Sequence, residues 1–119
     1  MKRTLILGAS SKKERFSYLA MKSLTERQIE FVAISSKEGE AFGVTFKRGK
    51  PEEKEIHTVS LYLNPEKQKE YYDYIVNLKP QRIIFNPGTE NGELFKIARE
   101  NNIEVVLGCT LVMLHNQSF

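Results

Sequence analysis

The stretch from Gly8 to Tyr18 holds the residues best suited to chemistry, reading Gly-Ala-Ser-Ser-Lys-Lys-Glu-Arg-Phe-Ser-Tyr. Gly8 allows a close backbone turn. Ala9, Ser10 and Ser11 are small and offer N–H groups and hydroxyls, and Lys12, Lys13 and Arg15 add positive charge. Ser17 reads as the N-cap of a following helix, with Tyr18 just inside it. A helix start carries unpaired N–H groups and partial positive charge, which together bind phosphate. The alternative is an ordinary strand-to-helix connection with a solvated basic loop.

Two features separate this loop from a dinucleotide fingerprint. G-x-G-x-x-G would need glycine at positions 10 and 13, where Ser10 and Lys13 stand. The second predicted strand ends in Ser35-Ser36-Lys37 rather than in the acid that holds an NAD ribose. A lysine at Lys37 suits a ligand with an extra ribose phosphate, carried at the 3′ position by coenzyme A and at the 2′ position by NADP. Taken alone, Lys37 reads as solvated. Asn86-Pro87-Gly88-Thr89-Glu90 forms a compact polar turn after a strand. Cys109 also follows a strand, but a catalytic thiol needs an activating base. His57 falls at a strand start, at the opposite end of the sheet, and His115 lies in the tail, so Cys109 reads as a small core residue. No carboxylate pair, metal constellation or Ser-His-Asp arrangement emerges.

The elements that must position these residues alternate along the chain. Thr4–Leu7 and Phe31–Ile34 are short apolar runs of the kind buried in parallel sheets. Between them a helix from Ser17 to about Arg27 presents Tyr18, Met21 and Leu24. Val44–Phe46 is a short edge strand, and Lys47–Glu55 a charged, solvated loop. Thr58–Leu63 is the next strand. Asn64 caps a helix with Pro65 at its first position, running to Leu78 before Lys79-Pro80 ends it. Arg82–Phe85 is a strand, a helix spans about Asn91 to Asn101, Glu104–Leu107 is the last strand, and the tail adds a short turn of helix. This alternation predicts one α/β domain over residues 1–119, with a mostly parallel sheet covered on both faces. Ligands of such sheets bind beyond the carboxyl ends of the strands.

With 119 residues, 40% hydrophobic and 28% charged, the chain can bury one core. Its net charge of +3 comes from scattered Lys and Arg, without the dense stripe of a nucleic-acid surface. One cysteine excludes an internal disulfide, and the N-terminal apolar run is too short for a signal segment or membrane span. The expectation is a cytoplasmic protein that binds a small nucleotide cofactor, with neither nucleic acid nor membrane as partner and its protein partner unknown.

Leu7-Gly8-Ala9-Ser10 with Arg15-Phe16-Ser17-Tyr18, Thr58–Pro65, Phe85–Asn91 and Cys109–Leu114 occur in an order that resembles the CoA-binding domain family. These are small Rossmann-like proteins related to the N-terminal domain of the succinyl-CoA synthetase α subunit. The resemblance implies a doubly wound sheet in the order 3-2-1-4-5-6, its third strand being the short Val44 segment. It implies coenzyme A lying across the switch point between the first strand and the strand ending at Leu63. Gly8, Ala9, Ser10, Ser17 and Tyr18 would meet the phosphates. Arg15 and Lys37 would lie near the nucleotide phosphates, Ser35 would be a further cofactor-binding residue at the end of the second strand, and Leu63, Asn64, Asn86 and Gly88 would line the adenine and pantetheine path. The synthetase's second domain, with its phosphorylated histidine, is not in the sequence, so binding is implied and the ligase reaction is not. Three rivals stay open: an NADP module or small oxidoreductase, an acyl-CoA enzyme using Cys109, and an interaction module with a vestigial nucleotide pocket.

Overall fold

A computed structural model describes residues 2–119. Its frame is a five-stranded parallel sheet in the order β2-β1-β5-β6-β7. The strands are β1 (Thr4–Leu7), β2 (Phe31–Ile34), β5 (Thr58–Leu61), β6 (Arg82–Phe85) and β7 (Glu104–Leu107). Each of the first four is buried along its whole length, as strands of a parallel sheet covered on both faces are. The register is regular: Leu7 pairs with Ile34 on one side and Leu61 on the other.

Alternate strand residues feed two cores. Leu5, Leu7, Val59, Leu61, Ile83 and Phe85 pack with Ile75 of α3 (Tyr72–Leu78) and with Leu94 and Ala98 of α4 (Gly92–Glu100). Ile6, Ala33 and Ile84 face the other way, toward Met21 and Leu24 of α1 (Phe16–Glu26) and Leu114 of α5 (Thr110–His115). The result is a three-layer, Rossmann-like α/β fold.

The predicted strand order needs one correction. The order of the long strands agrees, but the Val44 segment does not join the sheet. Val44–Thr45 (β4) pairs antiparallel with Glu40–Ala41 (β3) in a separate two-stranded hairpin. Its turn residues, Phe42 and Gly43, both have positive φ, the geometry of a tight hairpin turn. An isolated parallel bridge, Ile34 to Lys47, ties this excursion to the edge of β2.

Three local readings also change. Arg15, not Ser17, is the N-cap of α1, and it supplies no side-chain cap. Ser17 lies inside the first turn and is buried. The helix expected over Pro65–Leu78 is broken into α2 (Pro65–Gln68), a 3-10 turn (Lys69–Tyr71) and α3. Its start holds: Asn64 caps it by accepting from the Lys67 N–H at 3.0 Å, with Pro65 following. Its end holds too, with Lys79 in the left-handed region before Pro80. Finally, Lys47–Glu55 is not a free solvated loop. The Glu53 side chain is only 5% exposed and is paired with both Arg3 and Lys47.

Candidate functional site

The chain turns sharply at the carboxyl end of β1. Gly8 has φ +103°, and a Cβ there would lie 3.1 Å from both Leu63 Cδ2 and the Tyr62 carbonyl carbon. Only glycine lets the end of β1 come this close to the end of β5. The strand order reverses across this contact, which makes it the switch point of the sheet.

An open cleft of about 520 Å³ lies above it. Gly8, Ala9, Ser10, Arg15 and Ser17 form one wall, Ser35 and Lys37 the end of β2, and Leu63 the opposite wall. A smaller hollow of about 230 Å³ adjoins it, floored by Leu7, Ile34 and Leu63 and edged by Ser35, Ser36, Glu70 and Tyr71. Both spaces share Gly8, Ser35, Ser36, Leu63 and Lys67.

The cleft suits an anion. The first turn of α1 contains no acid, and its N-cap leaves the Phe16, Ser17 and Tyr18 N–H groups without a side-chain partner. The Gly8 and Ala9 N–H groups are spent, both donating to the Ile34 carbonyl at 3.0 and 2.9 Å. Lys12, Arg15, Lys37 and Lys67 reach the cleft without an ion-pair partner among the described residues. Glu38, the acid on this rim, is 3.8 Å from Arg48. Tyr62 lines the cleft as well, and burial pushes its hydroxyl up, so it remains a neutral phenol near pH 7.

Four expected ligand contacts lie elsewhere. Tyr18 packs against Phe42 of the hairpin, with ring centroids 5.0 Å apart. Asn64 is committed to its cap. Asn86 is buried as a hub: its Nδ2 donates to Ser60 Oγ at 3.0 Å and to the Leu61 carbonyl at 2.7 Å, and its Oδ1 accepts from the Thr110 N–H at 2.8 Å. Gly88 sits in the exposed turn after β6, donating to Glu90 Oε1 at 2.9 Å. Cys109 corrects another reading: it is half-buried at the N-cap of α5 rather than in the core. Lys67, Ser36, Tyr62 and Phe16 line the cleft as well; Ser36 and Phe16 fall within loops that the sequence marks, whereas Lys67 and Tyr62 carry no such signal. Phe16 is 65% exposed at the cleft rim, and nothing in its apolar type pointed to a surface role.

A parallel sheet with an uncapped helix start and unpaired cations at its switch point is a Rossmann-like fold whose cleft suits an anionic ligand. A family model described as a CoA binding domain matches residues 2–115, and the chain belongs to that family. Membership supports a coenzyme A-binding role. The crystal structure of an uncharacterized protein is similar over 100% of this chain and 98% of its own, with TM-score 0.97 and 50% identity. A hypothetical protein from Pyrococcus horikoshii OT3 is similar over 98% of this chain and 82% of its own, with TM-score 0.85 and 25% identity. A Thermus thermophilus protein at 21% identity shares the fold, with TM-score 0.86 over 99% of this chain and 90% of its own. No curated protein matches. Among the described residues no helix is long and apolar enough to cross a membrane.

Proposed function

We propose that this chain is an accessory coenzyme A-binding protein of the cytosol, which holds the cofactor or its thioesters without transforming them. One observation carries the reading: four unpaired cations and an uncapped helix start converge on a cleft at the switch point. Free CoA carries a diphosphate and a 3′-phosphate, which matches cations arriving from more than one loop. Arg15, beside the bare first turn of α1, would attract the diphosphate. Lys37, beyond β2, would attract the 3′-phosphate. The non-catalytic part rests on Cys109. His57 lies at the amino end of β5, the end of the sheet opposite Cys109, with its Nδ1 2.7 Å from Thr58 Oγ1, and His115 is an exposed residue at the end of α5, which argues against either serving as its base.

Calorimetric titration with CoA, dephospho-CoA, NADP, NAD and ATP tests the reading. CoA should bind saturably and more tightly than dephospho-CoA. Lys37→Ala should weaken CoA about tenfold, the scale of one charge-assisted hydrogen bond, and leave dephospho-CoA nearly unchanged. Arg15→Ala should weaken both. Preference for NADP would move the protein to an oxidoreductase class, and binding of none of the five by folded protein would overturn the cofactor reading.

A further inference from the structure

Lys67 occupies a position that no other charged residue shares. Among the described residues it alone of the charged side chains borders both the larger cleft and the smaller hollow. Lys12, Arg15 and Lys37 border only the larger space, and Glu70 only the smaller. A ligand that fills both must therefore cross beside Lys67.

The residue is also held ready. Its backbone N–H is fixed by Asn64 Oδ1 at 3.0 Å, and Pro65 restricts the turn before it. The next residue, Gln68, is fully buried, and its Nε2 donates to the Leu63 and Thr89 carbonyls, each at 2.8 Å. Asn91 Nδ2 closes this buried network by donating to Gln68 Oε1 at 2.9 Å. The Lys67 side chain thus springs from a backbone clamped to the ends of β5 and β6. Its neighbour Lys69 is paired with Glu66 at 3.3 Å, while Lys67 makes no ion pair among the described residues.

The two spaces differ in chemistry. The smaller has an apolar floor of Leu7, Ile34 and Leu63 with Tyr71 at its side, suited to a flat heteroaromatic base. The larger carries the cations, suited to phosphates. We infer that Lys67 is a specificity-determining residue at their junction, contacting the 5′-diphosphate of an adenine nucleotide from the wall opposite α1. The diphosphate is then held between Arg15 and Lys67, on loops following different strands. This rests on the coenzyme A reading and deepens it: the adenosine diphosphate half of the cofactor, rather than its pantetheine arm, is what the site selects.

Calorimetry of wild type, Lys67→Ala and Lys67→Arg with CoA, ADP and adenosine separates the possibilities. Lys67→Ala should weaken CoA and ADP by the same factor, about tenfold, and shallow their salt dependence, while adenosine is unaffected. Lys67→Arg should restore most of the affinity. The side chain carries no structural bond, so the unfolding midpoint of Lys67→Ala should match wild type. If Lys67→Ala binds both diphosphates as tightly as wild type, the inference fails while the cofactor reading stands. Wild type binding neither CoA nor ADP overturns both together.

Discussion

The two ends of the sheet treat their charges in opposite ways. At the amino end three cations are spent. Arg3 pairs with Glu30 and Glu53 and donates to the Lys54 carbonyl at 2.7 Å. Arg82, buried at the start of β6, donates to Thr58 Oγ1 at 2.8 Å and to the Phe119 carbonyl at 3.2 Å, its guanidinium 4.5 Å from the Phe119 ring centre. Lys2 donates to the same carbonyl. At the carboxyl end Lys12, Arg15, Lys37 and Lys67 face a cleft with no carboxylate partner among the described residues. Buried or half-buried cations that serve stability are satisfied within the chain. Cations left unpaired around a cleft are available to something outside it. On the coenzyme A reading, the contrast makes one end a structural seal and the other the receptor, and each substitution below should affect one role or join the two.

Gly8→Val should produce the largest effect, because Gly8 serves both roles. The new side chain would meet Leu63 and Tyr62 at 3.1 Å in a backbone conformation that side chains avoid. A loss of about 3 kcal/mol in urea unfolding is expected from strain and overpacking together, with CoA binding abolished in the fraction still folded. Unaltered binding would mean that the closeness of β1 and β5 has no bearing on the receptor.

Asn86→Ala should come second and should divide the roles. The sequence reading places Asn86 on the cofactor path, whereas its hydrogen bonds to Ser60, Leu61 and Thr110 tie β5, β6 and α5 together under the cleft. Removing it leaves buried polar partners unmet, at a cost of about 2 kcal/mol. Affinity for CoA, measured on folded protein, should change little. A large loss of affinity with stability preserved would return Asn86 to the receptor.

What could be read from sequence follows the range of the forces involved. The long strands were legible because short, mostly apolar and β-branched runs, such as Phe31–Ile34 and the Ile83–Phe85 stretch of β6, announce burial locally. The Asn64-Pro65 start was legible for the same reason, since a cap bonds only two or three residues ahead; Asn91, read only as the beginning of a helix, caps α4 in the same local way. The Val44 segment was not, because its choice between the sheet and Glu40–Ala41 depends on the paired positive φ of Phe42 and Gly43. Lys67 looked like one more charge on a long helix, and only the break after Gln68 and the buried amide network reveal what it borders. Glu53 sits in a run of charges, and its partner Arg3 is fifty residues away.

That pair gives the smallest and most selective test, confined to the amino end. Burial pushes the Glu53 carboxyl up, but hydrogen bonds and charge from Lys47 and Arg3 outweigh it and hold the group below its ordinary value. A carboxylate with a depressed folded pKa contributes stability that is present above its unfolded pKa and lost as pH falls through the folded one. His57 acts over a higher window. Burial, with the charge of Arg82 second, lowers its pKa, so the unfolded chain takes up the proton first and stability begins to fall below about pH 6.5. Glu53→Gln should therefore cost about 1 kcal/mol at pH 7 and flatten the lower acid limb of the stability curve, while the limb that starts near neutrality persists. Urea unfolding from pH 7 downward measures both limbs, and calorimetry at pH 7 should find CoA affinity unchanged. An acid limb that survives Glu53→Gln intact would assign it to other carboxylates, and a change in affinity would show that the two ends of the sheet are not independent.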